Sequence, residues 1–109
     1  KLCSRLPELT IVAAHLGGMK LFDDVEDCLA GKFENLYLDT GVVADYISDE
    51  QLWRIISAQG ADKVLFGSDC PWDHPEKEIA ILRRLPLTEE EQELIFHKNA
   101  EKLLKISAC

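Results

Sequence analysis

The apolar positions of this chain fall into three short runs separated by longer stretches with helical spacing. These runs predict buried strands at Leu9–Ala14, Leu36–Leu38 and Val64–Phe66. Glycine or aspartate follows each run within a few residues, which is typical of strand ends. Three strands separated by helical segments indicate β–α repeats, and therefore a parallel sheet with helices packed against it.

Five segments have the spacing or the end signals of helices. Phe22–Gly31 ends at a glycine and carries one apolar stripe, made of Phe22, Val25, Cys28 and Leu29. The next helix, from Ser48 to Gln59, has one face made of Leu52, Ile55, Ile56 and Gln59. Three further helices are predicted after the third strand, at His74–Leu85, Thr88–His97 and Asn99–Ile106.

The last two of these helices carry specific expectations. Thr88 is the predicted N-cap of its helix, and Glu91, three residues later, is the capping-box partner. In the final helix we expect Leu103, Leu104 and Ile106 to pack on the core.

Composition narrows the class of protein. A chain of 109 residues with 47% hydrophobic and 29% charged residues predicts one folded domain. A net charge of −8 argues against a nucleic-acid partner, which selects a basic face. No apolar run approaches the roughly 20 residues of a membrane span, so no membrane partner is expected. The four cysteines are widely spaced, which favours reduced thiols in a cytoplasmic protein.

Polar side chains follow all three predicted strands. His15 follows the first strand, Asp39 and Thr40 follow the second, and Ser68 and Asp69 follow the third. In parallel β/α folds, ligands gather at the carboxyl ends of the strands. We therefore expect these side chains to lie at one edge of the sheet and to form a site.

Each of these residues also has a structural interpretation. His15 could be a hydrogen-bonded structural histidine, and Asp39–Gly41 could be an ordinary turn. Asp69 could cap the following helix, although Pro71 restricts the residue before it to extended backbone and weakens that reading. A packing or purely structural role is the more common interpretation for Trp72, His74 and His97.

Four motifs together carry a resemblance to a known family. In order along the chain they are "AAHLGG", "NLYLDTG", "ADKVLFGSDCPW" and "HKNAEKLL". From about Pro7 to Leu104, the chain resembles the carboxyl-terminal part of a metal-dependent amidohydrolase. The most similar branch is the amidohydrolase-related family, which includes decarboxylases of the aminocarboxymuconate-semialdehyde type.

The resemblance implies a fold and a site. The fold is a (β/α)8 TIM barrel, of which this chain would supply the last three β/α units. Asp69 matches the aspartate that ends the eighth strand, which binds a divalent metal, most often zinc, and handles the proton of the water that the metal activates. His15 matches the histidine of the sixth strand, beside the metal as a ligand or acid/base group. Asp39 and Thr40 match a position that lines the pocket.

The chain also departs from the family pattern. It has no H-x-H pair, so His15 and Asp69 supply at most two of the three protein ligands that a catalytic zinc site needs. Three strands cannot close a barrel. We therefore expect residues 1–109 to be a carboxyl-terminal fragment that is inactive alone.

Two functions are left open by the sequence. In the first, the parent protein is a hydrolase of C–N, ester or lactone bonds, or a decarboxylase, and it acts on a small-molecule substrate. In the second, the chain is a non-catalytic α/β module that associates with itself, as a homo-oligomer, or with a partner through its open sheet edges.

Overall fold

A parallel sheet of three strands forms the centre of the structure, a computed structural model that describes residues 1–105. The strands are β1 (Ile11–Ala13), β2 (Leu36–Asp39) and β3 (Val64–Leu65), in the spatial order β1-β2-β3. Both pairs are parallel, with Val12 opposite Tyr37 and Leu38 opposite Val64. The predicted runs are correct in place but too long in β1 and β3, because only the residues paired with β2 are in the ladder.

Helices connect and follow the strands. Their bounds are α1 (Leu2–Arg5), α2 (Phe22–Cys28), α3 (Asp49–Gln59), α4 (Pro75–Arg84), α5 (Glu89–Glu93) and α6 (Asn99–Leu104). Turns of 3-10 helix lie at Ala14–Gly17 and Ala61–Lys63, and a π-helical turn at Leu94–Lys98 joins α5 to α6. The sequence predicts the sites of α2 to α6, whereas the short α1 was not predicted.

Most of the residues that helical spacing places on the inner faces of α2 and α3 are buried in the core. All four residues predicted for the inner face of α3 are buried, as are Phe22 and Val25 of α2. Cys28 is exposed, so its predicted place on the α2 stripe is wrong; α2 ends there, and the neighbouring Ala30 is buried instead.

The expectations for the final helix are only partly met. Leu104 is 66% exposed, so its predicted core position is wrong, and Leu103 is half-buried. Ile106 lies outside the described residues. The inward face of α6 is set by the buried Asn99. At about 100° per residue Leu103 lies roughly 40° from that direction and Leu104 roughly 140° from it, which explains their different exposure.

The sheet has one covered and one uncovered face. Leu36, Leu38 and Val64 are buried in the core. On the opposite face Val12 is 47% exposed, and Tyr37 and Leu65 are half-buried. Side chains alternate between faces along a strand, so the helices cover one side of the sheet and leave the other accessible.

Two buried amides fix the sheet against the helices. Gln59 Nε2 donates to the Leu36 carbonyl at 2.8 Å, and Gln59 Oε1 accepts from the Gly31 amide at 2.9 Å. Asn99 Nδ2 donates to the carbonyls of Ala61 and Val64, at 2.6 and 2.9 Å. Buried polar groups are stabilising when paired in this way, so these contacts hold the carboxyl end of α3 and the start of β3 in place.

The π-helical turn also contacts the sheet directly. The backbone N–H of Phe66, just after β3, donates to the Ile95 carbonyl at 3.0 Å. A backbone group at the outer side of β3 is thus paired with a helical segment rather than with a strand. Phe66 and Phe96 pack nearby, with ring centroids 5.3 Å apart.

The capping box of α5 supports a prediction. The Thr88 side chain accepts from the Glu91 amide, and the Glu91 side chain accepts from the Thr88 amide, both at 3.0 Å. Replacing Thr88 with alanine should lower the free energy of unfolding by about 1 kcal/mol, whereas Thr88→Ser should retain the cap. Urea denaturation of the wild-type chain and the two variants measures this loss of stability. Equal denaturation midpoints for Thr88→Ala and Thr88→Ser would contradict the capping role of Thr88.

Candidate functional site

The ends of the three strands bring the predicted residues together. His15 Nε2 lies 4.0 Å from Asp69 Oδ2, although 54 residues separate the two along the chain. Both side chains are partly accessible, at 31% for His15 and 46% for Asp69. We call His15, Asp39, Thr40 and Asp69 the strand-end site.

The backbone and one hydrogen bond orient His15. The residue follows β1 in left-handed conformation (φ 56°, ψ 43°), which turns its side chain out of the strand direction. His15 Nδ1 lies 2.7 Å from the Gly41 carbonyl oxygen. A carbonyl oxygen only accepts, so Nδ1 carries the hydrogen of this bond, and Nε2 is the ring nitrogen that faces Asp69.

Asp69 also occupies the left-handed region, with φ 60°. Its carbonyl accepts from the Trp72 amide at 2.9 Å, which closes a turn in the loop between β3 and α4. The N-cap position of α4 belongs to His74, so the alternative in which Asp69 caps this helix is wrong. Trp72 is 83% exposed and is not a core residue.

Asp39 and Thr40 join the ends of β2 and β3. The fully buried Thr40 Oγ1 accepts from the Gly67 amide at 3.1 Å and donates to the Gly67 carbonyl at 3.3 Å. Asp39 Oδ1 accepts from the Gly41 amide at 2.6 Å. A Cβ at Gly67 would lie 2.8 Å from Asp39 Oδ2, so the Asp39 carboxylate packs directly on the Gly67 backbone. Thr40 is therefore structural, and Asp39 shapes the turn whose carbonyl holds His15.

The donor set fits part of a metal centre. A neutral imidazole nitrogen and a carboxylate oxygen are both common ligands of divalent metals, and a ligating histidine usually donates its other N–H to a carbonyl or carboxylate. Two ligands at about 2.1 Å from one tetrahedral ion lie roughly 3.4 Å apart, so a small side-chain rotation suffices. Among residues 1–105, however, no group of three or more His, Cys, Asp or Glu side chains is arranged to hold an ion.

An open groove lies between the loops that follow β1 and β2. Its volume is about 610 Å³, and its lining includes Lys20, Asp45 and Tyr46. The Lys20 ammonium sits 4.8 Å from the centre of the Tyr46 ring, a cation–π contact. His15 and Asp69 do not line this groove.

Two residues near the site were missed by the sequence analysis. Asp73 is 5% exposed and Glu78 is fully buried, and one oxygen of each carboxyl group has no hydrogen-bond donor. The signal for Glu78 was present: with Ile81, Leu82 and Leu85 it forms an i, i+3, i+4, i+7 stripe, which is the buried face of α4.

Comparison with known sequences identifies the family. The sequence profile of the amidohydrolase family matches residues 1–106. The chain belongs to the amidohydrolase family. No curated protein sequence matches it.

Several solved structures have the same mixed α/β arrangement as this chain. An amidohydrolase from Burkholderia multivorans is similar with a TM-score of 0.79 at 13% identity, over 96% of this chain and 47% of its own. A dihydroxybenzoic acid decarboxylase from Polaromonas, solved with manganese and 2-nitroresorcinol, is similar with a TM-score of 0.74 at 22% identity. The match covers 99% of this chain and 37% of the decarboxylase. A putative amidohydrolase from Staphylococcus aureus has a TM-score of 0.68 at 26% identity. The match covers 95% of this chain and 37% of that protein.

This amidohydrolase-family chain spans less than half the length of these neighbours. The shared fold is a small parallel sheet with helices. Within residues 1–105, no helix is both long and apolar enough to cross a membrane.

Proposed function

We propose that this chain is the carboxyl-terminal part of a TIM-barrel amidohydrolase, namely its last three β/α units, and that His15 and Asp69 belong to a divalent-metal site. The observation that carries the proposal is the arrangement of His15. Its Nδ1 is fixed on the Gly41 carbonyl, and its Nε2 is turned toward the Asp69 carboxylate. This is how a metal-ligating histidine is oriented.

The uncovered face of the sheet supports the barrel part of this proposal. Val12, Tyr37 and Leu65 share the face that the helices leave accessible. In a TIM barrel that face of each strand points inward and is filled by side chains of the other strands. The further metal ligands would come from strands outside this chain.

The chemistry follows from the two side chains. A bound divalent cation would supply Lewis-acid activation of a water or of a substrate oxygen. The carboxylate of Asp69 can hold or accept a proton beside it, and the Nε2 of His15 can bind the ion or accept a hydrogen bond. These roles are common to hydrolysis of C–N, ester or lactone bonds and to decarboxylation of a small-molecule substrate.

Metal titration of the chain tests the site. We expect Mn²⁺ to broaden the amide NMR signals next to His15 and Asp69, and Zn²⁺ to compete with it. Asp69→Asn and His15→Gln should each weaken Mn²⁺ binding by roughly tenfold or more, because each removes one ligand.

The chain offers a matched control. His97 Nδ1 pairs with Glu101 Oε1 at 2.6 Å, a second histidine–carboxylate pair on a helix. His97→Gln should leave the broadening at the strand ends unchanged. Equal binding by the wild-type chain and by Asp69→Asn would refute the metal site.

The alternative, a module that associates with itself, has one observation in its favour. Val12 of the edge strand β1 is 47% exposed, on an uncovered apolar face. Analytical ultracentrifugation separates the alternatives: a dimer that Val12→Lys converts to a monomer, with no metal binding, would favour the module.

A further inference from the structure

Two buried carboxyl groups, those of Asp73 and Glu78, lie at the start of α4 next to the loop that follows β2. Glu78, in the first turns of α4, is inaccessible to solvent, and Asp73 in the loop before that helix is 5% exposed. Asp73 Oδ2 and Glu78 Oε2 are both buried and without a donor among the described residues. Native proteins rarely leave two such oxygens unpaired, so the pair requires an explanation.

The other oxygens of the pair are bound to two different loops. Glu78 Oε1 accepts from the Ala44 amide at 3.1 Å, and Ala44 lies in the loop that follows β2. Asp73 Oδ1 accepts from the His74 amide at 2.7 Å and lies 3.5 Å from the Lys77 ammonium. Lys77 in turn binds Asp45 of the β2 loop at 2.8 Å.

These two loops carry the contacts that fix the site. Ala44 follows Gly41 by three residues, and the Gly41 carbonyl orients His15. Asp73 follows Asp69 by four residues in the turn after β3. A change at the Asp73–Glu78 pair would therefore move the two halves of the site relative to each other.

We infer that Glu78 is a positioning residue of the strand-end site, which clamps the loop after β2 to the loop after β3 by a carboxyl–carboxylate hydrogen bond with Asp73. Through these loops it sets how His15 faces Asp69. Only the metal-binding role of His15 and Asp69 rests on the proposed function. The clamp between the two loops does not depend on that role.

The protonation of the pair agrees with the clamp. Burial raises the pKa of Glu78 to about 7, opposed by hydrogen bonds from the Ala44 and Val43 amides and reinforced by the charge of Asp73. The His74 amide and the Lys77 ammonium lower the pKa of Asp73. Each carboxyl group affects the pKa of the other, so the two lie close enough to interact. Below about pH 7 Glu78 keeps its proton and can donate it to the ionised Asp73, which would pair both oxygens.

A cation is a poorer explanation for the two oxygens. The charges that face the pair are those of Lys77, already bound to Asp73, and of Asp45 beyond it. Within residues 1–105 no set of three acidic, histidine or cysteine ligands surrounds any such position. A single proton neutralises the pair without a further ligand.

NMR of the metal-free, ¹⁵N-labelled chain tests the inference. Glu78→Gln keeps an acceptor for Ala44 and a donor for Asp73, so it should preserve both the slow exchange of the Ala44 amide and the Nδ1–H form of His15. Glu78→Ala should speed exchange at Ala44 by at least tenfold, which is about 1.4 kcal/mol of lost protection. It should also shift His15 toward the Nε2–H form.

Glu76 provides the matched control, because it is an exposed glutamate on the same helix. Glu76→Ala should change neither the exchange rate of the Ala44 amide nor the ring form of His15. A folded Glu78→Ala variant with the same His15 ring form as the wild type would overturn the inference. So would a Glu78→Gln variant that loses Ala44 protection and the Nδ1–H form of His15 as Glu78→Ala does.

A pH comparison decides the case if Glu78→Ala does not fold. At pH 8.5, where the Glu78 proton is lost, the wild-type chain should show less of the Nδ1–H form of His15 than Glu78→Gln; equal amounts would overturn the clamp. Mn²⁺ titration of the same two chains is read separately. Absence of Mn²⁺ binding would count against the metal site and leave the clamp result intact.

Discussion

Replacing Gly31 with alanine should destabilise the chain by about 3 kcal/mol. Gly31 has a φ of +73°, and a Cβ there would lie 2.3 Å from the Ala58 carbonyl oxygen of α3. The left-handed conformation costs roughly 1–2 kcal/mol for alanine. The clash with backbone forces the turn after α2 away from α3, and the hydrogen bond from the Gly31 amide to Gln59 is then weakened, for about 1 kcal/mol more.

Urea denaturation of the wild-type chain and of Gly31→Ala tests this prediction. A loss of less than about 1 kcal/mol, which is no more than the left-handed conformation alone costs, would contradict the backbone clash.

The second large effect is a dependence of stability on pH that originates at Glu78. The pKa of this carboxyl is about 7 in the folded chain, against an ordinary value of 4.5. Between these two values the unfolded chain has released a proton that the folded chain retains. The free energy of unfolding therefore falls as pH rises from about 4.5 to about 7, by about 3 kcal/mol in total, and is constant above that range.

Glu78→Gln should remove this dependence. Every other ionisable group is the same in the two chains, so the difference between them isolates Glu78. We expect the glutamine variant to gain about 3 kcal/mol relative to the wild type between pH 4.5 and pH 8. Parallel stability curves from urea denaturation over this range would show that Glu78 does not hold its proton.

Much of the fold was accessible from the sequence because its signals are local. The inner face of α3 follows from the spacing of four residues, and the capping box of α5 follows from Thr88 and Glu91 alone. The parallel sheet follows from the alternation of strands and helices. The convergence of His15 and Asp69 then needs only the rule that parallel strands end at the same edge.

What the sequence could not supply depends on contacts between distant segments. The Gly41 carbonyl that orients His15 has no side-chain signal, and it is placed by the register of β1 against β2. The clamp by Glu78 requires the burial of α4 against the β2 loop, across 34 residues. Leu104 is exposed because Asn99 faces inward to bind the carbonyls of Ala61 and Val64, a contact between distant segments that has no signal within the final helix.

The π-helical turn at Leu94–Lys98 also determines which mutations the end of the chain tolerates. A π turn contains one residue more than a regular α-helical turn needs, and each helical residue advances the rotation by about 100°. Deleting one residue within it would restore a regular helix but turn Asn99 away from the carbonyls of Ala61 and Val64. The extra residue is therefore part of the alignment of α6 with β3, and a same-length substitution in this turn is a milder change than a deletion.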